Sequence, residues 1–462
     1  MNTDSSIVLK LAEALSAITA DSLTPNVIRF AKLGIIDTVG VTLLGATEPV
    51  VKVLQKTLEG NLVSGPSLAF GGHQRLGTLD AVLINGTAAH AADYDDMARN
   101  MGGHPSVALV PVVIALAEAL GASGLEVLEA YVVGFEAECR LGRVIHPHHY
   151  EKGWHPTSTL GVFGAAAAAA RLLKLDVTAT ATALAIAASM ACGVKANFGT
   201  MTKPLHVGQC VRNGLFAAQL ASNGLTANPY ALEHKQGFFA SYDGLDNVHP
   251  ERLLDQWGEC LEIEQKSVGL KQFPCCGSTH PAIRAMLQLA RDGLRAEDVD
   301  GIEITVNRLR LPHTNNPDPQ TALGAKFSVQ YVAARALVCG VVNLEHFEGS
   351  AHLDADVRQL MAKITLSTYP EHIDKNRNDT RDEFAADISV RTHDGRRLAS
   401  HAPHALGRGG TDPMSDEEMW QKFSNCAIRL LPQAKVRESF DRLQTLEHCA
   451  SISDITALLE RG

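Results

Sequence analysis

The chain has 462 residues, 45% of them hydrophobic and 20% charged, which is enough apolar sequence for two domains with cores of their own. A formal net charge of -10 and a pI near 6.0, with no clustered basic block, argue against a nucleic-acid or anionic-membrane binder. Nine cysteines, an odd number set mostly in apolar stretches such as "SMACGV" and "ALVCG", argue against a disulfide framework.

The opening "MNTDSSIVLKLAEALSAI" carries charges where a signal peptide needs an apolar run, so it reads as an amphipathic helix and the chain as a cytoplasmic protein. Up to about Trp257 the period is helical. Thr24 caps and Pro25 opens "TPNVIRFAKLGIIDTVGVTLLGA", and Asp80 opens "LDAVLINGTAAHAADYDDM". The stretches "HPSVALVPVVIALAEALGASG" and "HPTSTLGVFGAAAAAARLLKL" each start on a proline, and "KPLHVGQCVRNGLFAAQLASNG" closes on Gly224. Residues 177–194 run 18 positions without a charge, but Ala and Thr dominate them, so a buried helix is expected rather than a membrane span. These helices are apolar around much of their circumference and should build a multilayer bundle.

Near Cys260 the texture changes. "CLEIEQKSVG", "VDGIEITVN", "KITLSTYP" and "ADISVRTHDGRRLASHA" alternate like strands, the last with a hairpin turn at Asp394-Gly395. Helices over residues 279–292 and 327–339 interrupt them, giving an α+β arrangement. After "GRGGTDPMSDEE" the chain is helical again, and this tail is expected to pack on the first domain.

Phosphate-loop, Rossmann, HExxH, GxSxG and paired CxxC fingerprints are missing. One device recurs instead: an ionisable residue before a proline that opens an apolar helix, at His104-Pro105, His155-Pro156, Lys203-Pro204 and His280-Pro281. Good caps accept hydrogen bonds from free N–H groups, and lysine cannot. If these helix starts converge, they form a cavity of backbone donors and cations suited to carboxylates. His280 also reads as a partly buried cap, while His146-Pro147 and His249-Pro250 lie in polar surroundings and read as surface turns.

In "HAADYDDM", His90 and Asp93 are three apart and share a helix face, with Asp96 and Met97 a turn further on. Asp93 is the better candidate for a base or a histidine-orienting carboxylate; Asp95 and Asp96 read equally as a solvated helix end. Lys271, in "GLKQFPCCGSTHPA", ends a predicted strand and is either a binding residue or a surface lysine. Cys275 and Cys276 read as packing residues, because vicinal cysteines pair only with strain. A metal site of His90, Asp93, His104 and the "HPHHY" cluster fits no standard ligand spacing.

The segments "GTAAHAADYDDM", "GGHPS", "GWHPTST", "GTMTKPLHVGQ", "LKQFPCCGSTHP" and "KFSVQY" follow one another along most of the chain, and together they resemble the MmgE/PrpD family. Activities in that family include 2-methylcitrate dehydratase, cis-aconitate decarboxylase and iminodisuccinate epimerase. The resemblance implies a mainly α homodimer, with a large all-helical domain built from both chain ends (residues 1–265 and 404–462) and a smaller α+β lid domain (266–403). It implies an active site between the domains using Asp93, His104, His155, Lys203 and Lys271, with His206 nearby; His90 and His280, from the same segments, complete the expected substrate-binding set. Small di- and tricarboxylate substrates are implied, with no metal, no organic cofactor and no nucleic-acid or membrane partner. In the lid, "LRLPHTNNP" offers His313 where decarboxylase-type members carry a tyrosine.

The chemistry has a physical logic. Taking a proton from a carbon beside a carboxylate builds charge that preorganised cations and a positioned base must stabilise. Histidine, titrating near neutrality, can move that proton. The expected reaction is a metal-independent dehydration of 2-methylcitrate or citrate, the alternatives being epimerisation of a substituted succinate and cis-aconitate-type decarboxylation.

Overall fold

The computed structural model describes residues 6–265, 268–308, 310–370, 385–403 and 413–461; the side chain of His313 and part of the turn-rich 407–418 stretch lie outside them. The chain divides into two compact units, Met1–Leu270 with Arg408–Gly462, and Lys271–Gly407. Each has a hydrophobic core of its own.

The first unit is helical. Its main helices are α1 (Pro25–Gly45), α2 (Thr78–Ala91), α3 (Ser106–Leu120), α4 (Gly124–Ile145), α5 (Gly161–Leu172), α6 (Val177–Ala188) and α7 (Thr202–Ser222), joined by α8 (Asp416–Ala427) from the C-terminal segment. Caps explain four of these eight starts: Thr24 accepts from the Val27 N–H ahead of Pro25, Asp176 accepts from Ala179, and Ser123–Glu126 and Ser415–Glu418 form capping boxes. The Ala- and Gly-rich faces let helices approach closely. Gly45 of α1 lies against α2, where a Cβ would stand 1.9 Å from the Ala88 carbonyl oxygen. Gly208 of α7 lies against the other side, where a Cβ would stand 2.1 Å from Thr87 Oγ1. Helix α2 is thereby held between α1 and α7, with its C-terminal end, which carries His90, beside the N-terminal end of α7, which carries Lys203 and His206.

The tail packs as expected, α8 lying against α1. Among the described residues no helix is long and apolar enough to cross a membrane. The expected strand in "CLEIEQKSVG" shrinks to Val268–Gly269, paired with Met97–Ala98, behind a 3-10 turn at Glu262–Glu264. Its apparent alternation has another cause: Glu262 turns inward to ion pairs with Arg140 and Arg143 of α4.

The second unit carries a four-stranded sheet in the order β2-β1-β3-β4, from β1 (Val299–Val306), β2 (Ile364–Thr368), β3 (Ala386–Thr392) and β4 (Arg397–Ala402). Strands β1 and β2 are parallel and the rest antiparallel. The β3–β4 hairpin turns at Gly395, whose φ of 85° suits glycine. Helices His280–Arg291 and Val329–Cys339 supply the other layer, and Met286, Val332, Ile302, Ile304 and Val390 share the core.

Candidate active site

Helix α2 ends at Ala91, so Asp93, Asp95 and Asp96 do not continue its face. Asp93 instead adopts a left-handed conformation, φ 54°, which a short polar side chain tolerates in the absence of glycine. The turn brings Asp95 back to His90, whose Nδ1 lies 2.8 Å from Asp95 Oδ2. His104 Nδ1 stands 3.1 Å from the same carboxylate oxygen and 2.5 Å from the Asp96 carbonyl. Both Asp95 and Asp96 are fully buried, the reverse of a solvated helix end. Asp96 fastens the start of α3, accepting from the Ser106 N–H at 3.1 Å and its hydroxyl at 2.5 Å. Burial pushes the Asp95 carboxyl up, but His104 and His90 and their hydrogen bonds outweigh it and hold it well below the usual carboxylate range. Burial takes His90 the other way, down to about 4. The resting pair is therefore a neutral imidazole donating to a charged carboxylate.

Lys203 and His206 lie in the first turns of α7. Lys203 Nζ is 2.8 Å from Asp93 Oδ1 and 5.2 Å from the centroid of the Phe198 ring. His155 caps the short helix Pro156–Thr159 and brings its Nδ1 within 3.2 Å of His206 Nδ1. Its ring stacks on His90 at 5.5 Å, and His90 meets His104 edge-on at 4.9 Å. Burial, helped by the nearby His90 and Lys203, pushes His155 well below its ordinary range, and burial also lowers His206. The Nε2 atoms of His90 and His155 are buried and have no hydrogen-bond partner among the described residues. One cluster in the first unit thus gathers six expected site residues: His90, Asp93, His104, His155, Lys203 and His206.

Lys271 and His280 belong to the second unit. Lys271 is 4% exposed and so is not a surface lysine. His280 is the first residue of its helix, buried, with Nε2 3.3 Å from the Cys275 carbonyl and its ring against Phe273. Cys275 packs beside Thr279, and burial pushes its thiol up to about 12, which agrees with a packing role. His146 and Pro147 form a turn, as expected, with Pro147 exposed and His146 half-buried; Gly102 abuts His146 so closely that a Cβ would stand 2.4 Å from its Nδ1.

Among the described residues, His90, Asp95 and His104 bring ligand atoms within 4.8 Å of one another and are the set that could hold a metal ion. Asp93 and the "HPHHY" cluster do not belong to it. Both Nδ1 atoms already point at Asp95, an arrangement that orients two imidazoles through a shared carboxylate. Residues that sequence reasoning missed support this loop. Lys422 of α8 reaches 328 residues back to donate to the Tyr94 carbonyl at 2.7 Å and pairs with the buried Asp37 at 2.5 Å. No local pattern marks such a contact.

Residues 9–251 match the MmgE/PrpD N-terminal domain, and residues 273–446 match the MmgE/PrpD C-terminal domain. The chain belongs to the MmgE/PrpD family. Among its relatives in the MmgE/PrpD family, the cis-aconitate decarboxylase of Homo sapiens is 31% identical, over 98% of this chain and 95% of the human protein. The cis-aconitate decarboxylase of Mus musculus is 32% identical, over 98% and 93%. That of Aspergillus terreus (strain NIH 2624 / FGSC A1156) is 26% identical, over 99% and 96%.

Proposed function

We propose that the chain is a metal-independent lyase that removes carbon dioxide from a small unsaturated tricarboxylate of the cis-aconitate class. The observation that carries the reading is the half-buried Lys203–Asp93 pair set beside the packed rings of His155, His206, His90 and His104. The relatives named as cis-aconitate decarboxylases, matched over nearly the whole chain, favour decarboxylation over dehydration of 2-methylcitrate.

The substrate brings negative charge to a cluster whose ammonium group, Lys203, is already held in place by Asp93. An anion within about 4–6 Å favours the protonated form of an imidazole, so binding draws a proton onto a histidine that was neutral before. Breaking the C–C bond releases carbon dioxide and leaves the electron pair delocalised over the adjoining alkene and carboxylate, where fixed cations stabilise it. His104 returns a proton to carbon: its ring is partly exposed, and its Nδ1 is anchored to Asp95 and the Asp96 carbonyl. The balance is tricarboxylate plus one proton to dicarboxylate plus carbon dioxide. Lys271 is assigned to the catalytic set as a further carboxylate-binding cation and His280 to substrate binding, both on the family resemblance; so is the homodimeric state, which light scattering checks, while action in the cytoplasm rests on the charged N-terminal stretch.

The test is incubation with cis-aconitate, citrate and 2-methylcitrate in deuterated water, read by proton NMR and carbon dioxide release. Carbon dioxide with one deuterium in the dicarboxylate product is expected from cis-aconitate. Stereoinversion of a substituted succinate with label uptake, and neither carbon dioxide nor an alkene formed from any acid, overturns the lyase reading.

A further inference from the structure

His149 lies in the short helix His148–Lys152 and is buried. Its Nδ1 stands 2.8 Å from Asp243 Oδ2 and its Nε2 2.7 Å from Thr159 Oγ1. The Thr159 hydroxyl in turn donates to the His155 carbonyl at 3.2 Å. Asp243 and Thr159 are buried as well, and the rings of Trp154, Phe238 and Tyr242 surround His149 with centroids 6.2, 6.1 and 6.1 Å away. An acid–imidazole pair in such an aromatic box loses hydration that its hydrogen bonds only partly restore, and apolar residues of the same volume would serve packing at least as well.

The chain of contacts ends on one residue. The His155 carbonyl also accepts from the Ser158 and Thr159 N–H groups at 2.9 and 3.0 Å, and its own N–H donates to Gly193 O at 3.0 Å. Both backbone polar groups of His155 are therefore held, while its ring reaches His206 and its Nε2 has no partner among the described residues. We propose that Asp243, His149 and Thr159 form a positioning relay that sets the backbone of His155 and, through it, the approach of the imidazole to His206. Asp243 holds the tilt of His149, an Nε2–H of His149 donated to Thr159 Oγ1 turns the single hydroxyl proton toward the His155 carbonyl, and that hydroxyl holds the peptide from which the His155 ring springs. The relay rests on the assignment of His155 to the reaction. It leaves the identity of the acid open.

Thr159→Val keeps the shape and removes the hydroxyl, and Thr159→Ser keeps the hydroxyl. The expected result for Val is a kcat loss of roughly 10- to 100-fold, from a displacement on the order of 1 Å, with KM held within about twofold. The pH profile of kcat should shift, and Ser should restore both. Independently of any substrate, ring nitrogen-15 signals of His155, assigned by their disappearance in His155→Gln, should move in Thr159→Val and stay in Thr159→Ser. If Thr159→Val does not fold, Asp243→Asn carries the same readouts. Unmoved His155 signals in the folded hydroxyl- or charge-deleted variant overturn the relay, as does a Ser variant as impaired as Val. A wild-type protein that turns over none of the three acids sinks the decarboxylase reading and leaves the NMR arm intact.

Discussion

Asp93 and Asp95 stand two positions apart and face different chemistry. Asp93 is partly exposed and paired with Lys203, while Asp95 is sealed beneath two imidazoles. Asp95→Asn keeps the size and removes the charge that both Nδ1–H groups point to, so His104 is held by the Asp96 carbonyl without the carboxylate that stabilises its charged form. A kcat loss of about 100-fold is expected with the fold retained, measured by steady-state turnover beside circular dichroism. His90 makes a different prediction, about stability. Its folded pKa, about 4, lies below the ordinary histidine value of 6.5, so as pH falls through that window the unfolded chain takes up a proton that the folded chain refuses, and stability drops. The whole window is worth about 3 kcal/mol at 1.36 kcal/mol per unit. His155, also depressed, acts in the same sense, while Glu136, raised by burial to about 7, and Asp37, raised by burial to about 6, act in the opposite one as pH rises. Urea midpoints at pH 7 and pH 5 should therefore fall less steeply in His90→Gln than in wild type; equal slopes would show that His90 is not neutral in the folded protein.

At the scale of elements, the site exists because α2 and α7 touch. Gly86 of α2 and Gly208 of α7 meet where a Cβ on Gly86 would stand 2.5 Å from Val211 Cγ2 and one on Gly208 2.5 Å from the Leu83 carbonyl. Gly208→Ala must push the helices apart, at a cost of about 1–3 kcal/mol, and must draw Lys203 and His206 away from His90. A lower melting temperature together with a raised KM is expected; a loss of stability with unchanged KM would break the link between this crossing and the site. The helices themselves, with their Thr24–Pro25 start and Gly224 stop, were legible from period and caps, and so was the β3–β4 hairpin from its Asp-Gly turn. The meeting of the helices was not, since a glycine within a helical pattern looks like a mere weakening until its neighbour is known. Asp95 was half-legible for a related reason: "DYDDM" has no glycine or proline to announce that the helix stops, so an i to i+5 return to His90 had no period to reveal it.

At the scale of the whole molecule, the two units differ in how continuous they are along the chain. The second unit takes every strand and helix of its core from one stretch of chain, whereas the first is completed from 413 onward. Lys422 neutralises the buried Asp37, Phe423 and Phe440 enter the core, and Leu446 packs its carbonyl so near Gly124 that a Cβ there would stand 1.8 Å away. Removing that segment leaves Asp37 buried without its cation, which alone costs about 3–5 kcal/mol, and opens apolar surface along α1 and α4. That loss is comparable to the whole stability of an ordinary domain, about 5–15 kcal/mol. A fragment of residues 271–403 is therefore expected to unfold in one cooperative transition, and a fragment of residues 1–270 to show none, with exposed apolar surface that binds a hydrophobic dye. Thermal scans of the two fragments beside the full chain check this. A cooperative transition in the 1–270 fragment would mean that α1 to α7 close their core unaided, and that Lys422 tunes the Asp93–Asp96 loop without being needed to fold it.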